Sequence, residues 1–115
     1  MKTVPIIFFV LLAFAPASAV TIPVTEVASH VGETATVEGV VSGVHTARSS
    51  DVTFIDMGGS YPNNVFTGVI FAADADKVGD VSGLPGKTVG ITGQIKLYKG
   101  KPEIIVKSAS QIVVH

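Results

Sequence analysis

Four residues near the end of the chain have types and spacing suited to joint chemistry: Lys96, Tyr98, Lys99 and Lys101. An aromatic ring offers a flat face to a nucleobase, and neighbouring ammonium groups neutralise the phosphates of a single strand. On an extended strand Lys96 and Tyr98 point to the same side, because side chains alternate with period two. The plainer reading of the same cluster is a solvated hairpin tip whose lysines keep a sheet edge soluble. Arg48, in the polar loop from His45 to Asp51, either reaches a phosphate or is simply exposed. Tyr61, in the turn formed by Ser60, Tyr61, Pro62, Asn63 and Asn64, either stacks on a ligand or packs on Pro62; packing is the favoured reading.

Other chemistries find less support. His30, His45 and His115 are far apart and lack the paired spacing of a helical metal site. Ser49, Ser50 and Ser60 lie in no nucleophile motif. The run from Asp74 to Asp80 begins like a calcium loop, but Val78 replaces a ligand and Pro85 stands where the bidentate Glu belongs. Asp74 or Asp76 reads better as a helix-start residue. No catalytic residue, metal or cofactor is expected.

The elements that must position the lysine and tyrosine cluster are strands. Val89, Ile91, Gly93, Ile95 and Leu97 alternate with polar residues, which predicts a strand with one buried face. Lys99 and Gly100 form the turn of a long hairpin, with a return strand over Glu103 to Lys107 and Pro102 at its start. Upstream, a strand follows Gly32, with Ala35, Val37, Gly39 and Val41 on one face. Two more run from Val52 to Met57 and from Val65 to Ala72, and a short helix falls between Ala73 and Val81. The predicted core is Val37, Val41, Phe54, Ile70, Val89, Ile91, Ile95 and Val106. Phe54, Phe66 and Phe71 are all read mainly as core, and Gly39 and Gly93 as bend points. Five strands with a helix between the third and fourth is the order of an OB-fold, a small Greek-key barrel, so the fold class expected is all-β and the barrel closed.

The chain has 115 residues, room for one domain. Lys2, an apolar run from Val4 to Ala15 and the small residues Ala17, Ser18 and Ala19 read as an export signal over residues 1–19. An uncleaved membrane anchor is the alternative. The domain is then 20–115, periplasmic or secreted, with no stable anchor after cleavage. Without cysteine it has no disulfide and must rely on its core. Charge is uneven. Val20 to Asp80 holds eight acids against Arg48 and Lys77, whereas Val81 to His115 holds five lysines against Glu103. The net negative balance excludes an avid, unselective nucleic-acid binder, and a polyanion should meet only the C-terminal hairpin.

Three stretches also carry a resemblance: residues 30–41, 53–71 and 86–112. Its most specific parts are Tyr61-Pro62-Asn63 with Val65-Phe66-Thr67, and the run from Tyr98 to Ile104. Together they resemble a family of exported prokaryotic OB-fold domains, found alone behind a signal peptide or fused to secreted nucleases and phosphoesterases. The resemblance spans about residues 28–113. It implies nucleic-acid binding and supplies no catalytic residues. Many relatives have cysteines where this chain has Glu38 and Gly90, which implies a pairing that this chain lacks. The function expected is a non-catalytic, exported module binding single-stranded DNA or RNA through the hairpin face, with a secreted nuclease as a second partner. The alternative is an envelope module for a small anionic ligand, an oligosaccharide or a partner protein.

Overall fold

A computed structural model describes residues 19–115; residues 1–18, which hold nearly all of the expected export signal, lie outside the described residues. The described chain is mostly β. Its strands are β1 (Val20–Pro23), β2 (Thr34–Thr46), β3 (Thr53–Met57), β4 (Phe66–Ile70), β5 (Thr88–Gln94), β6 (Lys96–Tyr98), β7 (Lys101–Ile105) and β8 (Ile112–Val114). One short helix, α1 (Ala75–Val78), lies between β4 and β5, as the sequence predicts. Short 3-10 turns occupy Val24–His30, Ala72–Asp74 and Ala109–Gln111.

The eight strands form one sheet in the order β6-β7-β4-β3-β2-β5-β8, with β1 added parallel to β2. Five strands in a closed barrel were expected; among the described residues the ladder is open, ending at β6 and β8. The reason lies at Ile95. Its N–H donates to the Glu33 carbonyl and its own carbonyl accepts from Gly32 N–H, so it still belongs to the edge of β2. One residue later Lys96 is opposite Glu103 on β7. The chain thus leaves one partner strand for another at Ile95, and the long hairpin of the sequence reading becomes two short strands. Of those two short strands only β6, not β5, pairs with β7, and Leu97, assigned to the buried face, is 58% exposed. The turn itself is as expected: Lys99 and Gly100 both have positive φ, 51° and 79°.

No ladder joins β5 to β7 among the described residues, yet the two strands touch. A Cβ on Gly93 would come within 2.5 Å of Ile104 Cγ2. Gln111 fills the seam. Its Nε2 donates to the carbonyls of Thr92 on β5 and Ile105 on β7, at 2.9 and 3.1 Å. Its Oε1 accepts from the N–H groups of Lys107 and Ser108. One side-chain amide satisfies the backbone where a strand pair would otherwise do so.

Val37, Val41, Ile70, Val89, Ile91, Ile95 and Val106 are buried as predicted, joined by Ile55, Met57, Phe66 and Ile104. Phe54 is the exception; it lies on the outer face of β3, and Phe71 is also outside the core. Phe54 shares its side of β3 with Asp56, while Ile55 and Met57 take the core side. A bulge in β2 decides what faces Phe54. Val41 pairs with Met57 but Gly43 pairs with Asp56, so Ser42 is an extra residue in β2. Its hydroxyl is positioned to bond the carbonyls of Asp56 and Gly59, at 2.9 and 2.6 Å. Before the bulge the odd residues of β2 face the core; after it Val44 packs inward and His45 turns outward. Ile55 pairs with Val44 and Phe54 with His45, so the bulge brings His45 to the outer side that Phe54 occupies. Gly39, expected as the bend, instead admits the Val24–His30 turn: a Cβ there would meet Val24 Cγ1 at 2.7 Å. Glu38 and Gly90 are opposite each other in the ladder.

Candidate functional site

Strand register lays out a small grid on the outer face. One row runs Lys96, Glu103, Thr67, Asp56 across β6, β7, β4 and β3. The next runs Ile105, Val69, Phe54, His45. The first row is polar and the second apolar and aromatic. Above the grid lie two adjoining clefts of about 290 and 280 Å³, which share Phe54, Tyr98 and Glu103. The larger is closed by His45, Tyr61, Lys99 and Lys101, the smaller by Ser50 and Phe71.

Rings define the groove. His45 stacks on Phe54, with centroids 5.0 Å apart and planes 25° apart, and leans on Tyr61 at 4.9 Å. Tyr61 is 66% exposed rather than folded away as a lid on the turn. Tyr98 is 58% exposed, and the Lys99 ammonium lies 5.3 Å from its ring centroid. That geometry adds a cation to the ring's electron-rich face.

Beneath the larger cleft runs a polar network. His45 Nδ1 is 3.1 Å from Asp56 Oδ2. A carboxylate only accepts, so Nδ1 carries the proton and Nε2 is the ring nitrogen left for other partners. Asn64, 2% exposed, shares the two hydrogens of its Nδ2 among Thr67 Oγ1 at 2.8 Å, the Phe66 carbonyl at 3.0 Å and Asp56 Oδ1 at 3.3 Å. The Asn64 Oδ1 accepts from Lys101 Nζ at 3.1 Å, and Lys101 also donates to the Pro62 carbonyl at 3.0 Å. Lys101 therefore straps the turn holding Tyr61 to the sheet. Burial pushes the Asp56 carboxyl above its ordinary pKa, while His45 and Lys101 pull it back. Burial likewise raises Glu103, opposed by Lys96.

Of the residues singled out in the sequence, Tyr98, Lys99, Lys101 and Tyr61 come together on the larger cleft. Lys96 is exposed at the start of β6, opposite Glu103. Arg48 is exposed in the turn after β2; Ser50 of that turn lines the smaller cleft. Sequence reasoning missed His45, Phe54, Asp56, Asn64 and Glu103. His45 was hidden by the bulge, Phe54 by its apolar type, and Asn64 by its place among turn formers. A detectable signal was Asp56, a charged residue inside an otherwise apolar strand that must find partners. Asp74 begins α1 without a side-chain cap and pairs with Lys77 at 3.2 Å.

No family model matches the chain, and no curated protein matches it. Among solved structures it is similar to part of a protein described as an aspartyl-tRNA synthetase from Leishmania major Friedlin, with a TM-score of 0.58 and 15% identity. The match covers 90% of this chain and 22% of that one. At that identity the likeness is one of fold.

Proposed function

We propose that this chain is an exported, non-catalytic OB-type module that binds single-stranded nucleic acid in the groove over β3, β4 and β7. The observation that carries the reading is the pair of adjoining clefts walled by aromatic rings, with Lys99 and Lys101 at one end. Stacking faces flanked by cations suit successive bases and their phosphates. The strand path gives further support: β2, β3, β4, β5 with β6, and β7 take the order of the five OB strands, with α1 after the third. The groove then lies on the second and third strands, between the loop after the first strand and the hairpin leading into the fifth, where OB-folds take oligonucleotides and oligosaccharides. The fold likeness to part of a protein named for tRNA is compatible with this. Binding rather than catalysis is favoured because the groove's polar floor is bonded within itself, from His45 to Lys101.

The test is a titration of a labelled single strand at two salt concentrations. Lys96, Lys99 and Arg48 remain available for phosphates, since Lys101 holds the Tyr61 turn; three contacts give a log–log salt slope of about −2. Tyr98→Ala should weaken binding by about 1–3 kcal/mol, and that loss should persist in added salt. Equal binding by wild type and Tyr98→Ala, or no binding at low salt, would sink the reading. An oligosaccharide is the second reading, favoured by the carboxylates of Asp56 and Glu103 in the groove, which repel a polyanion. Binding of neutral glycans but of no single strand would put it first.

A further inference from the structure

We infer that the Glu103 carboxylate selects guanine among the bases of the bound strand, by accepting both hydrogen-bond donors of its Watson–Crick edge. The inference rests on the nucleic-acid reading of the groove and adds a specificity to it.

Three observations single out Glu103. It lines both clefts, together with Phe54 and Tyr98, so it sits where the two meet. It is half-buried on the outer face of β7, between Lys101 and Ile105. Among the described residues its carboxylate has no hydrogen-bond or ion-pair partner; Lys96 lies opposite in the ladder but beyond ion-pair distance. Its oxygens are nevertheless not sealed in, since no buried side-chain oxygen in the described chain lacks a partner. Asp56 differs on this last point: its two oxygens are engaged by Asn64 and His45. The groove thus holds one carboxylate that builds the floor and one that faces the ligand space with its acceptors unused.

An ionised carboxylate has two oxygens and no donor. Guanine presents two adjacent donors, N1–H and the N2 amino group, and so meets both oxygens at once. Adenine and cytosine present one amino donor beside a ring-nitrogen acceptor. Thymine and uracil present one N–H between two carbonyls. In each of those, an acceptor faces the carboxylate and repels it. Single-strand recognition commonly works this way, with the base stacked on an aromatic ring and its exposed edge read by side chains. A base stacked on Tyr98 or Phe54 turns an edge toward Glu103, the polar residue those two rings share. The strength is that of a charge-assisted bidentate contact, worth roughly tenfold or more in affinity against the wrong base.

The experiment uses short thymine strands with one central guanine, inosine or adenine, and an all-thymine strand, titrated at low salt against wild type and Glu103→Gln. Inosine keeps N1–H but lacks the N2 amino group. Wild type should bind the guanine strand about tenfold more tightly than the inosine or adenine strands. Glu103→Gln replaces one acceptor with a donor at nearly the same volume, so the preference should collapse while the all-thymine strand binds at least as well. Equal affinity of wild type for all four strands would overturn the guanine assignment and leave the nucleic-acid reading standing. A preference that survives in Glu103→Gln would overturn the role of Glu103. If that variant fails to fold, the wild-type guanine-to-inosine ratio still decides: a ratio near one overturns the inference. No binding of any strand would overturn both readings.

Discussion

The two halves of β2 teach most when set side by side. From Thr34 to Val40 the strand pairs with β5, and its outer face carries threonines, Glu38 and Val40. Thr36 and Thr92 share a hydrogen bond at 2.6 Å, and His115 pairs with Glu38 at 2.8 Å. From Gly43 to Thr46 the strand pairs with β3, and its outer face offers His45 to a ring-lined groove. One continuous strand thus builds an ordinary solvated surface and then a binding surface. The difference is one extra residue, Ser42. A bulge exchanges the two faces of everything beyond it. It also lets both halves pack on the same core while presenting unlike chemistry outside.

Deleting Ser42 is the harshest test of that comparison. A ladder without the bulge would turn His45 inward and Val44 outward, burying a polar ring away from Asp56. The expected loss is on the order of 4–5 kcal/mol or failure to fold, read by urea denaturation. A deletion variant of near-native stability with its groove intact would show that the bulge does not set the faces.

The neighbours Ile55 and Phe54 provide a gentler contrast. Ile55→Ala empties a fully buried site and should cost about 2–5 kcal/mol. Phe54→Ala should cost clearly less stability and instead weaken ligand binding, because its ring faces the groove. Equal stability losses with no change in binding would place Phe54 back in the core.

At the opposite seam, Gln111→Ala removes the amide that links β5 to β7 and should cost about 1–3 kcal/mol, from carbonyls left without a donor. The loss should appear as faster hydrogen exchange near Lys107 and Ser108, whose N–H groups it accepts. Unchanged exchange there would mean that packing around Ile104 alone holds the seam.

The smallest effect separates the two groove carboxylates from ordinary surface acids. Burial raises the pKa of Asp56 and of Glu103. The folded state therefore binds these protons more readily than the unfolded chain. Their contribution to stability rises as pH falls from neutrality toward the ordinary carboxylate range, and it is lost again as pH rises through the folded pKa. Asp80 has the opposite sign, because the Ser82 N–H holds its carboxylate in the charged form. Comparing urea midpoints of wild type and Glu103→Gln at neutral and mildly acidic pH isolates the Glu103 part. The variant should gain less on acidification. An equal gain would mean that Glu103 is solvated like any surface acid.

Much of this protein was determined by its sequence alone. Alternation of branched and polar residues is a local property, and it located β2, β3, β4, β5 and the return strand within a few residues. The Lys99-Gly100 turn was legible because a tight hairpin demands positive φ at its centre. The cluster of Tyr98, Lys99 and Lys101 was legible because its members are neighbours in the chain.

What only the tertiary structure decided depends on pairing. Val20–Pro23 and Ile112–Val114 are too short to declare themselves and become strands by bonding to β2 and β5. Ile95 ends one pairing and precedes another because Glu33 leads into β2 whereas Glu103 lies on β7. The bulge at Ser42 exists in the register between β2 and β3, and no periodicity within either strand contains it. For that reason His45 passed for a stray imidazole until the strands were laid side by side, while Phe54 passed for a core ring although it shares its side of β3 with Asp56. Glu103 passed for a lone acid among lysines, and only the fold gave it a place between two aromatic clefts.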